Sequence, residues 1–302
     1  MTAQAPEQSA RLGPPQAAAL PLPQPRARVK RWLRRRDLDL WIPGAILVAL
    51  LTGCFILPLT GVLPSPMAGD LTQTFRPPFS PGHILGTDTI GRDVLSRILY
   101  GGRTSLEVGV SVNVIGIVVG GFVGMFAGFR RGVLDSLIMR ILDVMLAFPV
   151  LILTFVIATY LGASELNAIW AISFFSIPAY ARLARAVTLK LREQVYVDAA
   201  RMSGRSDLAI LARHIAPNVA PQLATYSLLQ VGIVVMIEAT LSFLGAGVGP
   251  QQASWGTMIA TGQTYLSTNP ALVLVPSAFL FVTVACLNVL GDGLRSRYGR
   301  PA

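Results

Sequence analysis

Charged residues are scarce in this chain. Asp, Glu, Lys and Arg make up 13% of the 302 residues, whereas hydrophobic residues make up 53%. A soluble domain carries about 25% charged residues. The scarcity of charge excludes an ordinary soluble domain and indicates that lipid is the main solvent. Length alone would suggest one or two domains, but a series of membrane spans fits the composition better.

Lysine, cysteine and histidine are rarer still, with two of each. Neither Lys30 nor Lys190 follows a glycine-rich phosphate-binding loop, so any ATP that drives this protein must bind to another chain. Cys54 and Cys286 lie in apolar runs and are interpreted as small buried residues. Neither histidine has metal ligands nearby in the sequence. We therefore expect this chain to be no enzyme and to hold no metal or cofactor.

The formal net charge of +10 could suggest nucleic-acid binding. The basic residues, however, form short segments between apolar runs, and no basic face is interleaved with aromatic residues. Nucleic acid is therefore not an expected partner. The distribution is instead typical of the positive-inside bias of membrane proteins.

Six apolar segments are long enough, or nearly so, to form membrane-spanning helices of about 20 residues. The fourth is the weakest, because its uncharged part ends at Ala181 and contains Pro178. The sequence thus predicts an all-α, multi-pass protein of the plasma (inner) membrane with six transmembrane helices. The predicted spans are Trp41–Leu59, Val108–Gly128, Ile138–Leu161, Leu166–Ala184, Val219–Leu244 and Ala271–Gly291.

Basic residues before the first span predict a cytoplasmic N-terminus, and six spans return the C-terminus to the cytoplasm. We divide the chain into a disordered, basic cytoplasmic tail (1–36), the first helix with an extracytoplasmic loop (37–104), a core transmembrane domain (105–295) and a cytoplasmic tail (296–302). The core domain contains a cytoplasmic loop at 188–218. Residues 88–105, at the end of the outer loop, are expected to form an amphipathic helix.

Several residues inside the predicted spans are unusual for lipid. Four glycines four residues apart lie on one face of the second span and allow close helix packing, most simply within this chain, although a partner subunit would also fit. Arg140 and Asp143 are expected to neutralise each other across one helical turn. The glycines are Gly116, Gly120, Gly124 and Gly128.

Glu238 is the most unusual of the intramembrane residues. It lies near the outer end of the fifth span, with no Lys or Arg close in sequence. Charged groups in a span are costly and suggest function. Two interpretations remain open: Glu238 faces a polar translocation path or a partner helix, or it has a capped or water-exposed structural role.

The loop at 188–218 has the pattern of two short helices separated by a break at Gly204–Ser206. Val195, Ala199 and Met202 can share one face of the first helix. Ser206 is a good cap for the second helix, which is expected to end before Pro217. A helix–turn–helix lying on the cytoplasmic surface would let a rigid partner push on the attached spans.

Here the sequence resembles the EAA loop of ABC-importer permeases, in the run Asp198-Ala199-Ala200, Gly204 and Ile215-Ala216-Pro217. The family usually has Glu at the position of Asp198 and Leu at the position of Ala216. Five further segments of the chain resemble the second (C-type) permease subunit of the dipeptide and oligopeptide importers, which also include nickel importers. These are Gly86–Leu106, Asp143–Leu153, Glu238–Val248, Ser254-Trp255-Gly256 and Asn288–Arg295.

The resemblance implies the fold of a type I ABC importer (MetI-like) permease that moves di- or oligopeptides by alternating access. It implies a heterodimer with a homologous second permease, two ATPase subunits that bind ATP and Mg²⁺, an extracytoplasmic substrate-binding protein and surrounding lipid. The ATPase contact would involve Asp198 as a charged anchor, Ala199 and Ala200 as close-packing residues, and Gly204 as the turn, with the loop closing at Ile215 and Pro217.

Three alternatives remain open at this stage. A permease of the same family could carry nickel, glutathione or haem. A stand-alone transporter could couple uptake to protons through Glu238 or Asp143. A structural membrane scaffold would leave the loop at 188–218 unexplained.

Overall fold

Lipid offers no hydrogen-bond partners, so an isolated apolar span must satisfy its backbone groups within an α-helix. The computed structural model is accordingly built from helices; it describes residues 26–249 and 251–298, with side chains from 40 to 296. Wider π-helical turns at Gly116–Gly120 and Leu211–Ile215 connect α2 to α3 and α8 to α9. The helices are α1 (Arg26–Phe55), α2 (Val94–Ile115), α3 (Gly121–Arg130), α4 (Gly132–Leu146), α5 (Val150–Leu161), α6 (Glu165–Leu191), α7 (Val195–Met202), α8 (Asp207–Ile210), α9 (Ala216–Phe243), α10 (Trp255–Gln263) and α11 (Ala271–Tyr298).

The chain forms two units, residues 1–38 and 39–302. The described part of the first unit, residues 26–38, is helical. Residues 26–36, which the sequence predicts as the end of a disordered tail, therefore have regular structure. The reason is that this stretch follows the last proline of the tail and is rich in Arg, a good helix former. The remainder of that tail and residues 299–302 of the C-terminal tail lie outside the described residues.

Among the described residues, four helical stretches are long and apolar enough to cross a membrane, and α4 with α5 would supply a fifth if the bent pair counts as one span. The remaining predicted span coincides with α6, whose C-terminal part carries Arg182, Arg185 and Lys190. The multi-pass membrane character is confirmed, while the number six and the orientation of the termini stay predictions. The four stretches are Leu40–Thr60, Val94–Arg130, Asp207–Phe243 and Ala271–Ser296.

The predicted third span, Ile138–Leu161, is not one straight helix. Helix α4 ends at Leu146, α5 begins at Val150, and the two are bent by 83°. Pro149 stands immediately before α5. Proline lacks an N–H donor and disfavours helical geometry in the residue before it, so the helix breaks here. The prediction of a continuous span was wrong at this point.

The glycine face formed by the π-helical turn Gly116–Gly120 and by α3 packs against α6. A Cβ placed on Gly120 would come within 2.5 Å of the Ile177 carbonyl oxygen, and one on Gly128 within 3.0 Å of the Arg185 carbonyl oxygen. Side chains larger than hydrogen would therefore force the two helices apart. The glycines serve packing within this chain, which is the simpler of the two interpretations of the pattern.

Ion pairs then fasten α4 to α6. Arg185 binds Asp135 through two hydrogen bonds of 2.6 and 2.7 Å, and Arg182 Nη2 donates to Asp143 Oδ1 at 2.9 Å. Asp143 thus pairs with a residue 39 positions away, and the expected pair with Arg140 was wrong. One turn of helix allows such a local pair, but the tertiary arrangement brings a better-placed guanidinium to the carboxylate.

The outer loop is held against the start of α2. Asp93 caps this helix by accepting from Ser96 N at 2.7 Å, and its carboxylate also contacts His83 Nδ1 at 2.9 Å. Because the cap lies at Asp93, the helix begins at Val94, and only the second part of the predicted helix at 88–105 is helical. That helix continues without interruption into the apolar stretch that follows.

Helix α10 is a short element that the sequence pattern did not predict. Ser254 caps it with a reciprocal capping box to Thr257. Trp255 is fully buried, and its Nε1 donates to the Ile98 carbonyl oxygen at 3.1 Å. This contact ties α10 to α2 across the fold.

Candidate coupling site

The loop at 188–218, hereafter the coupling loop, contains α7, α8 and a π-helical turn that leads into α9. Gly204 separates α7 from α8 with φ of +74°. Glycine reaches this left-handed region without the steric cost that other residues bear. Ser206 caps α8 by accepting from Ala209 N at 3.4 Å. The predicted helix–turn–helix and its cap are therefore present.

One side of the coupling loop is buried within the chain. Val197 and Ala200 of α7 lie in an apolar cluster with Ile210 and Ile215, which are completely buried. Phe129, at the end of α3, is 5% exposed and belongs to the same cluster. The loop is thus packed onto the helical body through its own apolar core.

The other side of the coupling loop exposes apolar side chains. Val195 is 85% exposed, Met202 is 89% exposed and Leu208 is 62% exposed. Val195 and Met202 are seven residues apart, so they lie on one face of α7, with Ala199 between them. Apolar side chains exposed in this way next to charged residues mark interaction surfaces more often than scattered single residues do.

The residues predicted to contact a partner divide between these two sides. Asp198 and Ala199 are exposed, and Asp198 contacts Arg201 at 3.3 Å. Gly204 and Pro217 are exposed as well. Ala200 and Ile215 instead lie in the buried cluster, at 7% and 0% exposure. The helical period turns Ala200 towards the chain's own core, whereas Ile215 was predicted only to close the loop; the contact of these residues with a partner stays a prediction.

Contacts also join the coupling loop to the turn between α3 and α4. Arg192, which follows α6, donates from Nη1 to the Phe129 carbonyl oxygen at 2.6 Å. Arg131 forms an ion pair with Glu193, and Arg130 lies 3.8 Å from Asp207. Sequence reasoning did not find these residues, because 62 to 77 positions separate the partners and no local pattern marks them.

The electrostatics of Arg192 follow from its surroundings. Partial burial lowers the pKa of Arg192 from its ordinary value, and the neighbouring cations Arg131 and Arg201 lower it further. Arginine nevertheless remains a cation in proteins. Its positive charge is placed at the end of α3, where helix carbonyl groups without an internal partner attract cations.

Glu238 lies apart from the coupling loop and is completely buried inside the chain. Its Oε1 accepts from Ser242 Oγ at 2.6 Å, whereas Oε2 has no hydrogen-bond partner among the described residues. Ser105 and Ser254 face the same carboxyl group from α2 and the start of α10. In this structure Glu238 therefore faces neither an open path nor a partner surface, and its position fits the capped structural role.

A metal or cofactor site is not evident in the described part of the chain. Within residues 26–249 and 251–298, no three His, Cys, Asp or Glu side chains lie together as a metal would require. Cys54 and Cys286 are both buried and free.

Apolar helices joined by a packed helix–turn–helix loop fit a membrane permease, and comparison with known proteins shows the family. Residues 120–300 match the family described as the binding-protein-dependent transport system inner membrane component. The chain belongs to this family and is a permease subunit of an ABC importer. The alternatives of a stand-alone proton-coupled transporter and of a structural scaffold are not favoured.

Individual relatives cover most of the chain. It is 39% identical over 216 residues to the glutathione transport system permease protein GsiD of Pectobacterium atrosepticum, covering 72% of each chain. It is 38% identical over 267 residues to a putative peptide transport system permease protein of Brucella suis, covering 88% of each. GsiD of Escherichia coli O6:K15:H31 is 40% identical over 213 residues, covering 70% of each.

A solved structure supports the fold. The chain resembles a chain of the MetNI methionine ABC transporter in an inward-facing conformation, with a TM-score of 0.55 and 19% sequence identity. The match covers 66% of this chain and 95% of that chain. The predicted MetI-like permease fold is therefore confirmed.

Proposed function

We propose that this permease subunit imports di- or oligopeptides, with glutathione as the alternative cargo, and that a separate ATPase displaces its coupling loop when it binds and hydrolyses ATP. The observation that carries the proposal is the two-sided coupling loop. One side is fixed in the apolar core of the chain, and the other exposes Val195, Met202 and Leu208. The relatives named as glutathione and peptide transport permeases support the substrate class.

The coupling loop is placed so that a partner that displaces it would also move the helices attached to it. Its buried side connects to α3, and its ends continue into α6 and α9. A displacement of the loop would therefore reach several helices together. Such displacement can shift a transporter between inward-open and outward-open states, which is the alternating-access cycle.

The complete importer needs further chains. We propose a homologous second permease as the partner in a heterodimer, two ATPase subunits that bind ATP and Mg²⁺ beneath the coupling loops, and an extracytoplasmic protein that delivers the substrate. This chain itself would hold no cofactor and catalyse no reaction. The inner-membrane family description and the likeness to a methionine ABC transporter support this composition.

Met202 offers a direct test of ATPase docking. In the complex co-expressed with its permease and ATPase partners, Met202→Asp places a charge where we expect an apolar contact. Losing the burial of one such side chain weakens binding by about 10- to 100-fold. ATPase co-purification and substrate uptake into vesicles should fall together. Met202→Leu keeps the apolar contact and serves as the matched control. Normal ATPase binding and uptake by Met202→Asp would refute the docking surface.

The substrate class needs a separate measurement. Vesicles that contain the complete complex and its binding protein are supplied with labelled dipeptide or glutathione, in the presence and absence of ATP. We expect ATP-dependent uptake of at least one of these. Uptake of nickel or haem, without uptake of either peptide substrate, would contradict the proposed class and leave the ATPase docking intact.

A further inference from the structure

The end of α3 packs against the coupling loop. Phe129 is buried in the same apolar cluster as Val197 and Ala200 of α7 and Ile210 of α8. Helix α3 is distant in sequence from the loop. Its last residues are nevertheless part of the apolar core that gives the loop its shape, so the loop cannot move relative to α3 without disrupting this cluster.

Arg192 reinforces this connection at the backbone. Its Nη1 donates to the Phe129 carbonyl oxygen at 2.6 Å and lies 3.4 Å from the Gly128 carbonyl oxygen. The guanidinium group also lies 6.0 Å from the centre of the Phe129 ring, and that of Arg201 lies 5.3 Å from it. The guanidinium groups of Arg192 and Arg201, both in the coupling loop, thus lie over the ring of Phe129 at the end of α3.

These contacts differ in strength from the exposed ion pairs nearby. The last carbonyl groups of a helix have no hydrogen-bond partner within the helix, so a cation that binds them supplies the missing donor. The pairs Arg131–Glu193 and Arg130–Asp207 are about half exposed. Exposed ion pairs contribute little to stability. Of the three arginines Arg130, Arg131 and Arg192, Arg192 therefore makes the strongest polar contact between the coupling loop and the end of α3.

Helix α3 in turn is joined to α6 over its glycine face. A Cβ on Gly124 would lie 2.7 Å from the carbonyl carbon of Ala181, and one on Gly128 would lie 3.3 Å from Arg185 Cα. Such close backbone packing leaves no room for the two helices to slide independently. A force that reaches the end of α3 is therefore delivered to a two-helix unit.

We propose that Arg192 is a positioning residue for transport, which fastens the end of α3 to the coupling loop so that movement of the loop carries α3 with it. This proposal rests on the proposed docking of an ATPase to the loop. Arg192 acts through the Phe129 backbone and ring and contacts neither substrate nor nucleotide. Without this contact, the loop would still bind the ATPase but would transmit less of its movement.

The test compares Arg192→Gln with Lys190→Gln in the complete complex in lipid vesicles. Lys190 lies on the same segment, is exposed, and makes no side-chain hydrogen bond or ion pair within the described residues. Three quantities are measured: ATPase subunits bound, ATP hydrolysed and substrate taken up. We expect Arg192→Gln to bind the ATPase normally but to lower uptake per ATP hydrolysed by about tenfold, the effect of one charge-assisted hydrogen bond.

The controls separate positioning from general damage. Lys190→Gln should keep the normal uptake per ATP, and Arg192→Lys should regain much of it, because a lysine can still donate to the Phe129 carbonyl group. An unchanged ratio in Arg192→Gln, an equal loss in Lys190→Gln or no recovery in Arg192→Lys would overturn the proposal. If the wild-type loop does not bind the ATPase at all, the proposed docking itself fails, and this outcome is distinguishable from the others.

A second variant keeps the test decisive if Arg192→Gln does not assemble. Phe129→Leu retains an apolar side chain in the cluster and removes the ring that both guanidinium groups approach. We expect it to bind the ATPase and to lower uptake per ATP in the same direction. Normal uptake per ATP in Phe129→Leu would overturn the role of this contact.

Discussion

Gly124 provides a sharp prediction about how the helices are held together. A Cβ at this position would meet the backbone of Ala181, with the carbonyl carbon at 2.7 Å and Cα at 2.8 Å. Ordinary contacts begin at 3.4 Å. Gly124→Ala would therefore separate α3 from α6 by roughly 1 Å, and inserting atoms into a tightly packed interface of this kind costs about 1–3 kcal/mol.

Gly44→Ala is the matched control for this change. Gly44 also lies within a helix, but a Cβ there would meet only Leu290 Cδ2, at 3.8 Å. Both variants share the preference of a helix for alanine over glycine, about 1 kcal/mol. The difference between them therefore reports the clash alone. We expect Gly124→Ala to lower Tm by about 2–8 °C relative to Gly44→Ala.

The assay is thermal unfolding of the purified complex in detergent. The measured quantity is the fraction of the complex that remains monodisperse after heating to each temperature. Equal Tm values for Gly124→Ala and Gly44→Ala would refute the close-packing argument. A second substitution tests whether the backbone or the side chain of Ala181 limits the approach of the two helices. Because the clash is with backbone atoms, Ala181→Gly should not rescue Gly124→Ala. Full rescue would show that the Ala181 side chain, and not the backbone, limits the approach.

Two further predictions concern the coupling loop and the α4–α6 contact. Gly204 has φ of +74° and open space around it, so Gly204→Val should cost about 1–2 kcal/mol in backbone strain and lower uptake, whereas Gly204→Asn should keep most of it. Equal uptake by both variants would contradict this. Asp135→Asn should lose about 1–3 kcal/mol of stability, because Arg185 loses a bidentate ionic partner; an unchanged Tm in thermal unfolding would count against it.

Local sequence patterns predicted much of the fold, because helix formation and capping depend on residues a few positions apart. The apolar runs coincide with long helices, and the break at Gly204 and the cap at Ser206 lie where the pattern placed them. The broken third span was missed, although Pro149 was visible in the sequence. A single proline is tolerated in many membrane helices, as Pro276 of α11 shows, so its presence does not decide between a kink and a break.

The candidate site was predictable only in part, for the same physical reason. Helical spacing placed Val195, Ala199 and Met202 on one face, and the structure exposes all three. The pattern could not tell which side of α7 meets the chain's own core. Ala200 was therefore expected at a partner surface, although it is buried beside Phe129.

The sequence by itself determined that this chain lies in a membrane, that its helices are joined by a helix–turn–helix loop, and that it has no phosphate-binding loop of its own. Only the tertiary structure decided which helices that loop contacts. The contact of Arg192 with the Phe129 carbonyl group spans 63 positions, and the Asp143–Arg182 pair spans 39. Contacts of this length depend on how whole helices pack, which no local periodicity encodes.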